Sequence, residues 1–292
     1  MRRPKVLVTG AQGQVGFELA HLLGAHADVV AVDRATLDLA DPDAIVSAMR
    51  EARPDVVVNA GAYTAVDAAE RERDAAFAVN ARAPQVFADE AKRTNAVLIH
   101  YSTDYVFDGA ATTPYDEDAR TAPLNVYGQS KLEGERAIAA SGAHALVLRT
   151  SWVYGLRGKN FLLTIRRLAA ERDELRVVAD QTGTPNWSRT LAQATADLVA
   201  RGPAYLAERA GLYHLSSTGA TTWHGFATAI VGDVATPRVT AISSAEFPTP
   251  ARRPAYGVLA TNRFRAAFGF ELPFWRDALA ACLAASAAAR GD

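Results

Sequence analysis

The chain has 292 residues, of which 31 are basic and 32 acidic, giving a formal net charge of -1. This balance provides no long-range attraction to nucleic acid or to an anionic membrane, and the 49% hydrophobic content is typical of a globular protein rather than a disordered or fibrous one. The single cysteine, Cys282, excludes an intramolecular disulfide and favours a reducing compartment. With no signal-peptide core and no run of roughly 20 apolar residues, we expect a cytoplasmic protein without membrane or nucleic-acid partners.

Short apolar runs alternate with helical patterns through the first half of the chain, in the order KVLVTG, DVVAVD, DVVVNAG, AVLIHYS and ALVLRTS. This alternation predicts βαβ units, and runs that are apolar throughout predict strands covered by helices on both faces. We therefore expect an α/β fold, a Rossmann-type doubly wound parallel sheet, with residues 1–150 forming the dinucleotide-binding domain. Loop-rich segments then predict a smaller C-terminal substrate-binding lobe at 151–292, with some elements returning to the first domain.

Three glycines, Gly10, Gly13 and Gly16, lie between the first predicted strand and the helix that follows it. Glycine permits a sharp turn and a close backbone approach, and the free amides at the start of a helix attract a pyrophosphate. The alternative is a tight βα turn without a ligand. The position of the motif after an N-terminal strand favours dinucleotide binding.

The second strand ends at AVDR, about 20 residues beyond the glycine loop, where an acidic side chain binds the adenosine ribose in dinucleotide folds. Asp33 favours NADH, whereas Arg34 is suited to the 2′-phosphate of NADPH or is a solvated surface charge. We therefore expect use of either cofactor. Further candidates for contact with the cofactor follow at the next turn and at the end of the third strand: Asp38, Leu39, Ala62, Tyr63 and Thr64.

The segment NVYGQSKLEGE places Tyr127 and Lys131 four residues apart on a predicted helix, so both side chains share one face. A nearby ammonium group lowers the pKa of a phenol, which then donates a proton to a carbonyl oxygen as hydride reaches the carbon. Lys131 is also expected to bind the nicotinamide ribose. Ser102 or Thr103, at the end of the fourth strand, is expected to hold the substrate oxygen. The alternative for Tyr127 and Lys131 is an exposed aromatic and cation pair on a helix.

Six segments together resemble the extended short-chain dehydrogenase/reductases and, among them, the dTDP-4-dehydrorhamnose reductases: DVVVNAGAYTAVDAAE, HYSTDYVFDG, PLNVYGQSKLEGE, LRTSWVYG, DQTGTP and GLYHLSSTGATTWHGFA. The resemblance implies reduction of the 4-keto group of a dTDP-deoxysugar by NADPH or NADH. It implies Tyr127 and Lys131 as the catalytic pair, and Thr103, Asp104 and Trp152 as contacts of the deoxysugar. It places these residues at the cofactor: Gly13, Gln14, Val15, Asp33, Asp38, Leu39, Ala62, Tyr63, Thr64 and Tyr101.

Some members of this family are magnesium-bridged dimers that use carboxylates. Glu18 matches one of those positions, but Arg189 occupies a second, and the C-terminus offers only Asp292. A divalent cation prefers several oxygen ligands and no adjacent cation. We therefore expect no magnesium site, and a monomer or weak homodimer.

In the C-terminal lobe, Arg252 and Arg253 of PTPARRPAY are candidates for binding the substrate diphosphate, although a plain surface loop explains them nearly as well. His214 and His224 are expected to be structural. Two other functions stay open: a sugar-nucleotide epimerase or dehydratase of the same superfamily, and a non-catalytic regulatory subunit of methionine adenosyltransferase. Retention of Thr103, Tyr127 and Lys131 favours the reductase.

Overall fold

A computed structural model describes residues 2–232 and 236–291, with side chains through residue 288. The strands are β1 (Lys5–Thr9), β2 (Asp28–Ala31), β3 (Val56–Asn59), β4 (Val97–Thr103), β5 (Ala145–Thr150), β6 (Val153–Tyr154), β7 (Glu174–Val178), β8 (Thr182–Gly183), β9 (Asn186–Trp187), β10 (Gly211–His214), β11 (Thr221–Thr222) and β12 (Arg238–Ile242). The five apolar runs of the first half form β1 to β5, as predicted.

The helices are α1 (Gln14–Leu22), α2 (Pro42–Ala52), α3 (Val66–Ala69), α4 (Arg73–Phe77), α5 (Ala83–Thr94), α6 (Val126–Ser141), α7 (Phe161–Glu171), α8 (Ser188–Ala200), α9 (Pro203–Ala207), α10 (Trp223–Val231), α11 (Asn262–Phe268) and α12 (Trp275–Gly291). A π-helical turn at Ala78–Arg82 joins α4 to α5. None of the helices in the part of the chain that the structure describes combines the length and apolar character needed to cross a membrane.

The central sheet is parallel throughout, with six strands in the order β10-β5-β4-β3-β1-β2. The chain moves outward from β1 to β2 and then returns to place β3 on the other side of β1. In open α/β sheets this reversal leaves a crevice beyond the carboxyl ends of the strands, where ligands bind. The glycine loop and the segment after β3 both open into that crevice.

Apolar residues cover both faces of the sheet. Val6 and Val58 pack on one face with Leu19 of α1 and Leu191 of α8, while the other face carries a second apolar cluster that includes Phe87 of α5. The Rossmann-type, doubly wound prediction is therefore confirmed.

The second half of the chain contributes to two parts of the molecule. β10 and α8 join the layers of the central sheet. Three short strand pairs, β6 with β9, β7 with β12 and β8 with β11, lie beside it. The first two pairs share an apolar cluster with α7, α10 and α12, in which Trp275 and Cys282 are buried.

Candidate active site

The glycine loop is a compact turn whose shape depends on missing side chains. Gly10 has a left-handed φ of 68°, and a Cβ at this position would lie 2.8 Å from Gly61 Cα. A Cβ on Gly16 would overlap the carbonyl oxygen of Gly10. Gly13 precedes the first turn of α1, which has no capping side chain. The turn therefore leaves backbone amides available for an anion, and these residues fit the pyrophosphate of a dinucleotide.

Asp33 and Arg34 follow β2 and line the same cavity as the glycine loop. The Asp33 carboxylate accepts hydrogen bonds from the backbone amides of Ala35 (2.9 Å) and Thr36 (3.3 Å), and the first of these is the main cause of a lowered Asp33 pKa. Arg34 is exposed and forms no hydrogen bond or ion pair with any residue that the structure describes. A ribose acceptor and an unpaired cation thus stand side by side, which suits both NADH and NADPH.

A cavity of about 670 Å³ runs from this site across the carboxyl edge of the sheet. It brings together most of the predicted cofactor residues: Gly10, Gly13, Gln14, Val15, Asp33, Arg34, Asp38, Leu39, Ala62, Tyr63, Thr64, Tyr101, Tyr127 and Lys131. Gly16 lies behind the turn and does not line the cavity. Gln12, Thr150, Val153, Gly158 and Lys159 line it as well and were missed from the sequence.

Lys159 belongs to a loop that connects β6 to α7 and folds against the start of α1. Asn160 Nδ2 donates to Gln14 Oε1 at 2.9 Å, and the Arg157 guanidinium lies 3.6 Å from the centre of the Phe17 ring. Lys159 is exposed and makes no hydrogen bond or ion pair within the described part of the chain. The loop is therefore anchored while its lysine remains free for an anionic ligand beside the glycine turn.

Asn80 holds the segment after β3 in place. It is fully buried in the π-helical turn, its side-chain oxygen accepts from Tyr63 N at 2.9 Å, and its Nδ2 donates to Tyr63 O at 2.9 Å. Nδ2 also lies 3.0 Å from Ser130 Oγ in α6. Nothing in the local sequence indicated this role, because the contacts join residues 17 and 50 positions apart.

Tyr127 and Lys131 lie on the first turns of α6 and both line the cavity. Asn125 begins the helix, since its side-chain oxygen accepts from Gly128 N at 2.8 Å. Lys131 is 2% exposed, and its Nζ donates to Tyr101 O at 2.6 Å and lies 3.1 Å from His100 Nε2.

The acidities of this pair differ from the expectation that an ammonium group makes the phenol acidic. Burial raises the pKa of Tyr127 to about 12, against a hydrogen bond with Thr103 that lowers it. Burial lowers the pKa of Lys131 to about 8. Tyr127 is therefore protonated in the free protein, which is the form required of a general acid.

Of the two hydroxyls at the end of β4, Ser102 lines the cavity and Thr103 does not, but the Ser102 hydroxyl is engaged elsewhere. Ser102 Oγ donates to Glu135 Oε1 at 2.5 Å, and the same carboxylate is held by Arg149. Thr103 Oγ1 instead lies beside Tyr127 and donates to Asp104 Oδ1 at 3.1 Å.

Asp104 is buried next to Thr103, and its Oδ2 atom has no hydrogen-bond partner among the residues described. Burial raises the pKa of this carboxyl group to about 7. An unpaired buried carboxyl oxygen is costly, so a ligand hydroxyl that reaches it gains a ready partner.

A second cavity, of about 860 Å³, lies in the C-terminal lobe and is lined by Trp223, Phe247, Arg252 and Arg253 among others. Arg252 is exposed and forms no side-chain hydrogen bond or ion pair with the described residues. Arg253 is already engaged, because its two terminal nitrogens donate to the two oxygens of Asp67 at 3.0 and 2.9 Å. The two predicted phosphate contacts are thus unequal, and Arg252 is the freely available one.

Trp152 sits beside the second cavity rather than in the first. Its backbone has a left-handed φ of 42°, and its ring stacks on Trp223 with centroids 3.5 Å apart and planes 7° from parallel. A Cβ on Gly183 would lie 2.5 Å from the indole, so that glycine gives the ring its space. Trp152 is half-buried.

Glu18, the residue at a family metal position, forms an ion pair with Arg189, whose Nε lies 2.8 Å from Glu18 Oε2. Asp292 lies outside the described residues. Within residues 2–232 and 236–291, no three His, Cys, Asp or Glu side chains cluster closely enough to hold a metal ion.

The two histidines of the C-terminal half lie outside both cavities. His214 is buried, and burial lowers its pKa to about 3. His224 Nε2 lies 3.2 Å from Val239 O.

Comparison with known proteins agrees with this arrangement. A family model described as the RmlD substrate binding domain matches residues 4–288. The dTDP-4-dehydrorhamnose reductase of Burkholderia thailandensis is 48% identical over 96% of this chain and 98% of its own, and that of Shigella flexneri is 42% identical over 93% and 94%. The crystal structure of dTDP-4-dehydrorhamnose reductase from Bacillus anthracis in complex with NADP superposes with a TM-score of 0.90 at 34% identity, covering 97% of this chain and 99% of that one. The chain belongs to the dTDP-4-dehydrorhamnose reductase family.

Proposed function

We propose that the protein reduces the 4-keto group of dTDP-4-dehydro-L-rhamnose to give dTDP-L-rhamnose, with NADPH or NADH as the reductant. The observation that carries this proposal is the meeting of Tyr127 and Lys131 with the glycine turn in one cavity, with Thr103 beside the phenol. A phenol, an amine and a hydroxyl beside a dinucleotide site are the groups required to protonate a carbonyl oxygen.

A nicotinamide bound in the cavity would supply a hydride to the carbonyl carbon. Tyr127 donates its phenolic proton to the carbonyl oxygen, and Thr103 holds that oxygen in place by a hydrogen bond. Because the Tyr127 pKa is raised to about 12, the proton is present before the reaction. Lys131 binds the ribose. Once Tyr127 has given up its proton, the charge of Lys131 also stabilises the phenolate that remains.

The nucleotide end of the substrate is assigned to the second cavity. Arg252 is its unpaired cation and is suited to the diphosphate. Phe247, which is 60% exposed at the same cavity, offers a ring on which a base can stack. Asp104 is assigned to a sugar hydroxyl and Trp152 to the apolar edge of the 6-deoxysugar. Under this proposal residues 1–150 bind chiefly the cofactor and 151–292 chiefly the substrate.

The test is an assay of purified protein with a panel of nucleotide 4-keto-6-deoxysugars and each reduced cofactor, followed by determination of product stereochemistry. We expect stoichiometric oxidation of NADPH or NADH and formation of dTDP-L-rhamnose. An epimerase or dehydratase would instead convert the sugar without net cofactor oxidation, because its nicotinamide is regenerated in each cycle. Capture of methionine adenosyltransferase without reductase turnover would contradict the assignment.

We further propose a cytoplasmic enzyme that acts as a monomer or weak homodimer, without a magnesium bridge and without nucleic-acid or membrane partners. The Glu18 and Arg189 ion pair supports the metal-free part of this proposal, since a guanidinium at this distance repels a divalent cation. Sedimentation with and without magnesium measures the assembly, and a magnesium-dependent dimer would contradict it.

A further inference from the structure

A buried chain of hydrogen bonds runs from the glycine-turn region to Lys131 across three neighbouring strands. Gly61 N donates to Thr9 Oγ1 (3.1 Å), which donates to Asn59 Oδ1 (2.7 Å). Asn59 Nδ2 lies 3.1 Å from His100 Nδ1, and His100 Nε2 lies 3.1 Å from Lys131 Nζ. The four side chains are each at most 2% exposed.

One direction of the chain starts at the amide of Gly61. A backbone amide only donates, so Thr9 accepts from Gly61 and passes its own hydroxyl hydrogen to Asn59 Oδ1. The amide nitrogen of Asn59 consequently faces His100 Nδ1, which must accept. The imidazole hydrogen then resides on Nε2 and points at Lys131 Nζ. Two hydrogens face each other there unless Lys131 is a neutral amine that accepts.

The opposite direction suits the ammonium form, at the cost of the hydrogen bond that the Thr9 hydroxyl donates. If the Asn59 amide rotates, its nitrogen donates to Thr9 and its oxygen accepts from His100 Nδ1–H. His100 Nε2 then carries a lone pair and accepts from the Lys131 ammonium. In both states the imidazole stays neutral, and Lys131 still donates to the Tyr101 carbonyl.

Few other charges act on Lys131 among the described residues. Glu135, one turn later on α6, favours the ammonium form, but its carboxylate is paired with Arg149 of β5. Tyr127 lies on the same helix and is protonated. His100 of β4 faces Lys131 and has a pKa held well below its usual value by burial. The imidazole is therefore the neutral contact whose hydrogen can move between two nitrogens.

We propose that His100 is a positioning residue for Lys131: by exchanging its tautomer together with rotation of the Asn59 amide, it accommodates both the amine and the ammonium form of the catalytic lysine. The catalytic role of this switch rests on the proposed function, because the ammonium form of Lys131 is the one that stabilises the Tyr127 phenolate. The hydrogen-bond switch itself needs no substrate.

The substrate-free test is ¹⁵N NMR of protein labelled at histidine, which distinguishes the two neutral tautomers and the imidazolium. Between roughly pH 6 and pH 10 we expect His100 to change from Nδ1–H to Nε2–H as Lys131 loses its proton. Lys131→Met should leave His100 in one tautomer across this range. A tautomer that is constant in the unsubstituted protein, or conversion to imidazolium near the Lys131 titration, would overturn the proposal.

The kinetic test compares His100→Gln and His100→Leu. The Gln amide can rotate to offer its oxygen to the ammonium form or its nitrogen to the amine, so the alkaline limb of the kcat profile should stay within about half a pH unit of its original position. Leu offers no acceptor, and the limb should move down. His214→Gln, at a buried histidine outside both cavities, is the matched control and should keep the original limb. An unchanged limb in His100→Leu, or equal shifts in His100→Gln and His100→Leu, with folding confirmed by circular dichroism, would contradict the proposal.

The two tests separate the possible failures. If the unsubstituted protein does not oxidise NADPH or NADH with any keto-sugar, the proposed function is wrong while the NMR result still decides the role of His100. If turnover is present and the tautomer does not change, the function stands and the switch is refuted.

Discussion

The buried ion pair of Glu135, one turn after Lys131 on α6, gives a prediction whose size follows from the contacts. Arg149 Nε and Nη2 donate to the two oxygens of Glu135 at 2.9 and 2.6 Å, and the side chains are 3% and 7% exposed. Ser102 is the third donor to the carboxylate. Arg149→Met removes two of these hydrogen bonds and leaves a buried negative charge with one.

Removing one partner of a buried ion pair costs about 3–5 kcal/mol of the free energy of unfolding, because the remaining charge stays desolvated. The double variant Arg149→Met, Glu135→Leu has no such charge and loses mainly the hydrogen bond of Ser102, which costs about 1–3 kcal/mol. We therefore expect the double variant to be more stable than Arg149→Met alone.

Urea unfolding monitored by tryptophan fluorescence, with linear extrapolation to water, measures both values. Arg167→Met is a matched control, since its pairing with Glu171 is exposed and such pairs contribute about 0–1 kcal/mol. The reasoning is refuted if Arg149→Met costs less than the control, or if adding Glu135→Leu lowers the stability further.

Other consequences are open to direct measurement. Tyr127→Phe should lower kcat by about 10² to 10⁴-fold while the Kd for NADPH, from fluorescence titration, stays the same. Tyr105→Phe is the control, since the Tyr105 ring lies edge-on to that of Tyr127 with centroids 5.6 Å apart. A normal kcat for Tyr127→Phe would exclude the general-acid role. Gly16→Ala should abolish NADPH binding in the same titration, because its Cβ overlaps the Gly10 carbonyl oxygen, and unchanged binding would contradict the tight turn. Arg34→Ala should raise the KM for NADPH alone, whereas Lys159→Ala should raise the KM for both NADPH and NADH. Steady-state kinetics with each cofactor distinguishes the two effects. If Arg34→Ala raised the KM equally for both cofactors, Arg34 would not contact the 2′-phosphate.

The sequence predicted the fold because the signals for it are local. Strand-length apolar runs and three glycines before a helix require no knowledge of distant residues, and the spacing of Tyr127 and Lys131 fixes a shared helix face. The structure places the pair in the cavity beside the glycine turn. The assignment of roles to individual residues remains a prediction.

Long-range contacts account for what the sequence did not reveal. Arg253 pairs with Asp67, 186 residues away, so its availability for phosphate was not readable from the loop around it. His100 lies in the segment HYSTD but reads there only as part of a strand. The raised pKa of Tyr127 arises from burial, a property of the assembled fold, and spacing alone suggested the opposite direction.

The position of β10 at the edge of the central sheet limits where the chain can be divided into an N-terminal and a C-terminal half. β10 pairs with β5, and Leu191 and Val199 of α8 cover the sheet face behind the cofactor crevice. A fragment ending at residue 150 would expose both an unpaired strand edge and an apolar surface, which together promote aggregation. Exchange of C-terminal halves between relatives therefore requires a chimera that keeps α8 and β10 with the central sheet, rather than a simple cut at the midpoint of the chain.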